Sequence, residues 1–120
     1  MAKKILVVED DFESRYLLSL VLKNEGFEVL TARDGESALA VAARNKLDLI
    51  ITDVNMPLMN GIELTEKIKN KPDTASVPIL GMTAYGPSTM QNMILAGAAA
   101  CAKKPIVLEE FLPAVKMLLA

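Results

Sequence analysis

The 120-residue chain contains no histidine and no tryptophan. Without histidine, imidazole acid–base catalysis and the usual histidine-bearing zinc sites are excluded. Aromatic residues make up only 4% of the chain, too few rings for a platform that stacks nucleic-acid bases. A single cysteine, Cys101, rules out an internal disulfide framework and suits a reducing compartment. A cationic excess is missing as well. The net charge of −2 gives no electrostatic footprint for nucleic acid or for an anionic membrane. Long apolar runs are also lacking: the start MAKKILVVEDD is too short in its apolar part for a signal peptide, and the longest runs elsewhere are strand-sized. The expectation is a cytoplasmic protein without a membrane segment. What the chain does have is 52% hydrophobic and 23% charged residues, the balance of an ordinary globule long enough for its own core. One domain over 1–120 is expected.

Two periodicities alternate along the chain. Short apolar runs occur at Ile5–Val8, Phe27–Leu30, Leu47–Thr52, Val77–Met82 and Ala98–Ala102. The first, third and fourth read as buried parallel strands, nearly continuous in Val, Ile and Leu; the last is mostly alanine and gives the weakest signal. Helical patterns lie between them. Phe12–Glu25 gathers Tyr16, Leu17, Leu20 and Val21 on one face, with Gly26 where a helix-terminating residue belongs. Asp34 can cap a helix carrying Ala38, Leu39, Val41 and Ala42. Gly61–Asn70 carries Leu64 and Ile68, and Pro87–Leu95 carries Met90, Met93 and Ile94, the two methionines reading as core. Leu108–Leu119 shows Leu108, Phe111, Leu112, Val115 and Leu119 at helical spacing, with Pro113 inside the pattern predicting a kink or a late helix start. Five strand–helix units with short connections predict an α/β fold, a doubly wound parallel sheet.

The polar residues that end the strands carry the chemistry. The first run leads into Glu9, Asp10 and Asp11, the third into Asp53, the fourth into Thr83, and the fifth into Lys103, Lys104 and Pro105. Ligands of open parallel sheets bind outside the carboxyl ends of the strands, so these groups are expected in one crevice. Taken singly each has a plain explanation. Asp34 and Asp73 read as turn or cap residues, and Asp11 as the acid that favours a helix start. Cys101 reads as a small buried hydrophobe. Taken together, three carboxylates held close repel unless a cation compensates. Their donors are all oxygens, which suits Mg²⁺ beside a phosphate. Lys104 and Thr83 facing such a group could orient it, and positioning with charge stabilisation is most of what phosphoryl transfer needs. Asp53 is then a candidate nucleophile.

The segments KKILVVEDD, DLIITDVNMPLMNG, PILGMTA and KKP, in that order, resemble the receiver domain of bacterial two-component response regulators. The resemblance spans essentially the whole chain. It implies a flavodoxin-like five-stranded sheet of order 2-1-3-4-5, the order of chemotaxis regulators. It implies Asp53 as phosphoacceptor, Glu9 and Asp10 as the acidic pair that places Mg²⁺ (with Mn²⁺ able to substitute), and Asn55 as donor of a backbone carbonyl to that metal. Thr83 would hydrogen-bond the phosphoryl group and Lys104 would bind it, with Lys104–Pro105 a cis peptide bond; Pro57 and Gly61 match the family's turn. The family commonly has Tyr or Phe where this chain has Cys101, and a thiol cannot repeat the in-or-out rotation of an aromatic ring. Tyr85 and Asn55 would flank the phosphoryl group, Tyr85 shielding it from water.

The resemblance further implies a signalling switch rather than a multi-turnover enzyme. Its partners would be a histidine kinase or histidine phosphotransfer protein, docking near Phe12–Glu25, and an effector protein or missing output domain, read by the surface of Pro87–Ala120. Direct nucleic-acid or membrane binding is not expected. An aspartate-nucleophile phosphatase generally needs a second Asp where Asn55 stands. A degenerate binding module would not keep Glu9, Asp10, Asp53, Thr83 and Lys104 together. A flavodoxin would follow its first strand with a phosphate-cradling loop instead of acids.

Overall fold

The computed structural model describes Ala2–Ala120. Among these residues five strands alternate with five helices: β1 (Lys4–Val8), α1 (Phe12–Asn24), β2 (Glu28–Ala32), α2 (Gly35–Arg44), β3 (Leu49–Asp53), α3 (Gly61–Lys69), β4 (Ile79–Thr83), α4 (Pro87–Leu95), β5 (Ala100–Lys103) and α5 (Leu108–Leu119). All strand pairs are parallel, in the order β2-β1-β3-β4-β5.

Both faces of the sheet are covered, and the period-two alternation of strand side chains divides the core in two. Leu6, Val8, Ile50 and Ile79 meet Ala38, Leu64, Ile68 and Met93 on one face. Ile5, Val7, Leu49, Ile51, Leu80 and Met82 meet Leu22, Phe111, Val115 and Leu119 on the other. This is why the central strands read as unbroken apolar runs: neither face is left for water.

Local chemistry fixes the helix ends. Asp11 caps α1 by accepting the Ser14 N–H at 2.8 Å, and Asp34 caps α2 through Ser37 at 2.8 Å. These hydrogen bonds lower both carboxyl pKa values. Asn60 and Glu63 form a reciprocal capping box at the start of α3. Gly26 takes a positive φ of 94° just past α1, the left-handed conformation expected there.

Four expectations need correction. β1 matches its apolar run to within one residue, but β2 to β5 sit one to two residues later than theirs; in β3 to β5, Asp53, Thr83 and Lys103 belong to the ladder while Leu47, Val77 and Ala98 are buried in the preceding connections. The apolar face of α1 faces outward: Tyr16, Leu17 and Leu20 are 56%, 53% and 43% exposed, and Ser19 and Leu22 are the buried positions. Periodicity identifies a stripe but not what covers it. Helix α5 starts on time at Leu108 and runs through Pro113. Met93 is core as expected, whereas Met90 is only half-buried and Ile94 is exposed.

Candidate functional site

The carboxyl ends of β1, β3, β4 and β5 converge as the sheet order requires. Asp53 is the last residue of β3, paired with Met82, and is 5% exposed. Glu9 follows β1 and is 3% exposed. Carboxylate oxygens of Glu9, Asp10 and Asp53 lie within 4.8 Å of one another. Lys104 reaches into this group from beyond β5: its Nζ is 2.9 Å from Glu9 Oε2 and 3.3 Å from Asp53 Oδ1. Its backbone N–H donates to the Thr83 carbonyl at 2.8 Å, so the ladder that aligns β4 and β5 also aims the ammonium. The Lys104–Pro105 peptide is cis.

Electrostatics follow from burial. Desolvation raises the Glu9 pKa and is only partly offset by the Lys104 hydrogen bond; the Asp53 charge adds to the rise. For Lys104, burial alone would lower the pKa, but the Glu9 hydrogen bond and the Asp53 and Glu9 charges outweigh it, so the net direction is up. Both partners moving upward is consistent: Lys104 stays an ammonium, and Glu9 is too buried for one cation to compensate fully.

Thr83 ends β4 with no exposure. Its hydroxyl donates to Asn55 Oδ1 at 2.9 Å and accepts the Tyr85 N–H at 3.0 Å. The Asn55 N–H lies 3.4 Å from Asp53 Oδ1. Asn55 itself is exposed, and Tyr85 is 60% exposed at the rim. The turn after Asp53 is built tightly against it. The Gly61 N–H bonds the Val54 carbonyl at 2.8 Å, and a Cβ on Gly61 would lie 2.6 Å from the Asp53 carbonyl oxygen. Leu58 at the tip of this turn has a φ of 68° and is 99% exposed. Thus Glu9, Asp10, Asp53, Asn55, Thr83 and Lys104 come together, with Tyr85 beside them.

Cys101 lies apart, half-buried beneath α4. Its Sγ and the Met93 side chain crowd the space over Gly81, and burial raises the thiol pKa, so it packs as expected but is only partly buried. One contributor escaped the sequence reading. Arg15 Nη1 donates to the Glu9 carbonyl at 2.8 Å and its guanidinium lies 5.5 Å from the Phe12 ring centroid, tying the acidic loop to α1. Its only sequence signal is a position one helical turn after Asp11.

The donor set fits a hard divalent cation. Three carboxylates supply oxygens only, and Lys104 is drawn to them as a cation would be. The chain that folds into this 2-1-3-4-5 sheet matches the family model of the response regulator receiver domain over residues 5–116. The chain belongs to the response regulator receiver family.

Its relatives agree. The receiver is 36% identical over 117 residues to sporulation initiation phosphotransferase F of Bacillus subtilis, with 97% of this chain and 93% of that protein covered. It is 38% identical over 106 residues, 88% of this chain, to the sensor histidine kinase RcsC of Escherichia coli, of which it spans 11%. The solved structure of chemotaxis protein CheY4 of Vibrio cholerae matches with a TM-score of 0.93 at 35% identity, covering 99% of this chain and all of that one. This receiver therefore belongs to a family of phosphoacceptor signalling domains of two-component systems. No helix among the described residues is long and apolar enough to cross a membrane.

Proposed function

We propose that Asp53 accepts a phosphoryl group from a phosphohistidine of a kinase or phosphotransfer protein, and that the resulting charge resets the surface of α4, β5 and α5 for an effector. The observation that carries this reading is the Lys104 ammonium held 2.9 Å from Glu9 and 3.3 Å from Asp53. An Asp53 carboxylate oxygen bonds to phosphorus as the phosphorus–nitrogen bond of the donor breaks, and the imidazole leaves with the electron pair. Lys104 would follow the new oxygens, and Thr83 would turn its hydroxyl to donate a hydrogen bond to one of them. Glu9, Asp10 and Asp53, with the Asn55 backbone carbonyl, would hold Mg²⁺ or Mn²⁺, which when bound neutralises phosphoryl charge.

The exposed stripe of α1 supports a docking role for the phosphodonor. Phe12 and Tyr16 stack with centroids 6.2 Å apart. A groove of about 490 Å³ runs from Glu9 and Lys104 along Leu17, Leu18, Val21 and Ile106. A surface this apolar beside the site suits the helix of a partner. Leu95 and Ile94 leave a second apolar edge on α4 for the effector side, 75% and 45% exposed.

Incubation with Mg²⁺ and acetyl phosphate, followed by intact mass, tests the chemistry. One labile phosphate that requires the metal and disappears in Asp53→Asn is expected. No adduct would make the chain a degenerate binding module. Sustained turnover of phosphate esters would make it a phosphatase.

A further inference from the structure

The Thr83 hydroxyl has a single proton to give. In this structure that proton is committed to Asn55 Oδ1 at 2.9 Å. The hydroxyl oxygen is held from the other side by the Tyr85 N–H at 3.0 Å, and the Asn55 backbone is held near the acceptor by its own N–H, 3.4 Å from Asp53 Oδ1. Asn55 therefore touches the Asp53 carboxylate with its main chain and the Thr83 hydroxyl with its side chain. We infer that the Asn55 carboxamide is a latch, a positioning residue that holds Thr83 in its resting orientation and that phosphorylation of Asp53 must displace; this rests on the reading of Thr83 as the hydroxyl that contacts the phosphoryl group.

The physical reason is competition for one proton. A hydroxyl that donates to Asn55 cannot donate the same proton to a phosphoryl oxygen. The phosphoryl dianion is the stronger acceptor, since charge-assisted hydrogen bonds are roughly twice as strong as neutral ones. Asn55 is exposed, so its released carboxamide is met by water at little cost. The latch thus sets how far the resting population leans away from the phosphorylated arrangement. A neutral hydrogen bond of ordinary net strength shifts such an equilibrium by about fivefold. The backbone carbonyl of Asn55 is unaffected by its side chain, so the latch separates cleanly from any role of that carbonyl at a metal.

The test reads Thr83 and its neighbour directly. Threonine is labelled with ¹³C at its methyl, and Tyr85 amide exchange is followed by ¹⁵N spectra. Wild type is recorded at rest and after acetyl phosphate with Mg²⁺, its phosphorylation checked by mass. Asn55→Leu removes the acceptor while keeping bulk. With no phosphodonor present, it should move the Thr83 methyl toward its phosphorylated position and speed Tyr85 exchange about fivefold. Asn55→Asp, which keeps an acceptor oxygen, should stay at the resting position. Resting signals in both variants overturn the latch. Equal movement in both also overturns it, because the effect would then be one of shape instead of acceptor. A wild type that gains no phosphoryl mass overturns the phosphoacceptor reading and the latch's role with it, and mass alone identifies that outcome.

Discussion

Gly61 is where fold and site press hardest on each other, and Gly61→Ala puts that contact under load. The new methyl carbon would stand 2.6 Å from the Asp53 carbonyl oxygen, 2.8 Å from Val54 Cα and 3.2 Å from the Asp53 carbonyl carbon. All three are main-chain atoms, so no rotamer change relieves the clash. Non-bonded carbon contacts are comfortable near ~3.5 Å, so the start of α3 or the end of β3 must retreat on the order of 1 Å. Overpacking of this kind costs roughly 1–3 kcal/mol, and the immovable partners place it in the upper half. The Gly61 N–H bond to the Val54 carbonyl, 2.8 Å long, is strained by the same retreat, adding about 1 kcal/mol. Loss of glycine freedom in the unfolded chain returns about 0.4–1 kcal/mol. The net expectation is a destabilisation of about 2–3.5 kcal/mol, or ~10 °C in Tm for a chain of this length. Because the displaced atoms belong to Asp53, phosphorylation should slow as well; a 1 Å misplacement can cost on the order of 100-fold. Thermal unfolding by circular dichroism measures the first effect, and a mass time course with acetyl phosphate the second. Gly86→Ala is the control, since a Cβ there meets nothing within 4 Å and its φ is an ordinary −84°. A Tm for Gly61→Ala equal to that of Gly86→Ala would refute the steric argument.

Four further outcomes follow from the same geometry. Lys104→Met leaves the buried Glu9 carboxylate without its 2.9 Å partner. Breaking a fully buried pair costs roughly 3–5 kcal/mol, and with the Lys104 side chain 27% exposed about 2–3 kcal/mol is expected in urea unfolding, largely recovered by adding Glu9→Gln. Burial raises the Glu9 pKa above its ordinary 4.5. The folded metal-free protein then holds this proton more tightly than the unfolded chain, so the contribution is complete below about 4.5 and is lost as pH rises through the folded value. Glu9→Gln should remove that decline from a pH series of urea melts. Leu58→Gly releases a fully exposed side chain from a left-handed backbone with φ of 68°; the strain of roughly 1–2 kcal/mol outweighs the added glycine entropy, so Tm should hold or rise slightly. Tyr85 stands 60% exposed beside the Thr83 hydroxyl, and Tyr85→Ala should hasten loss of the phosphoryl group by admitting water; an unchanged decay rate in a chase without donor would contradict the shielding role.

The sheet was readable because buried parallel strands concentrate Val, Ile and Leu, and the site was readable because polar residues stop those runs. The offset in strand position has the same origin: Asp53 and Thr83 look like terminators in composition but pair within the ladder as Asp53↔Met82 and Thr83↔Lys103. The outward face of α1 was not readable, since Tyr16 and Leu17 satisfy helical spacing whether covered or bare. Contacts between side chains were hidden for another reason. Residue type gives Lys104 a charge, but it takes the alignment of β5 with β4 to bring it to Glu9 as well as Asp53. The Arg15 bond to the Glu9 carbonyl and the Asn55 bond to Thr83 are likewise products of packing.

The bond between Lys104 and Glu9 joins residues 95 positions apart, and this has a consequence for how the protein comes into being. Four strand ends supply the site, and the ammonium arrives last along the chain. Until β5 pairs with β4, the acids of β1 and β3 face one another without that cation, and their repulsion opposes closure of the sheet's end. A contact over such a separation is slow to form, because loop entropy is spent before the contact rewards it. The pairing that aligns Lys104 with Thr83 therefore also brings the compensating charge to the acids. A ribosome-bound chain that has not yet released β5 holds the Asp53 carboxylate but lacks the ammonium beside it.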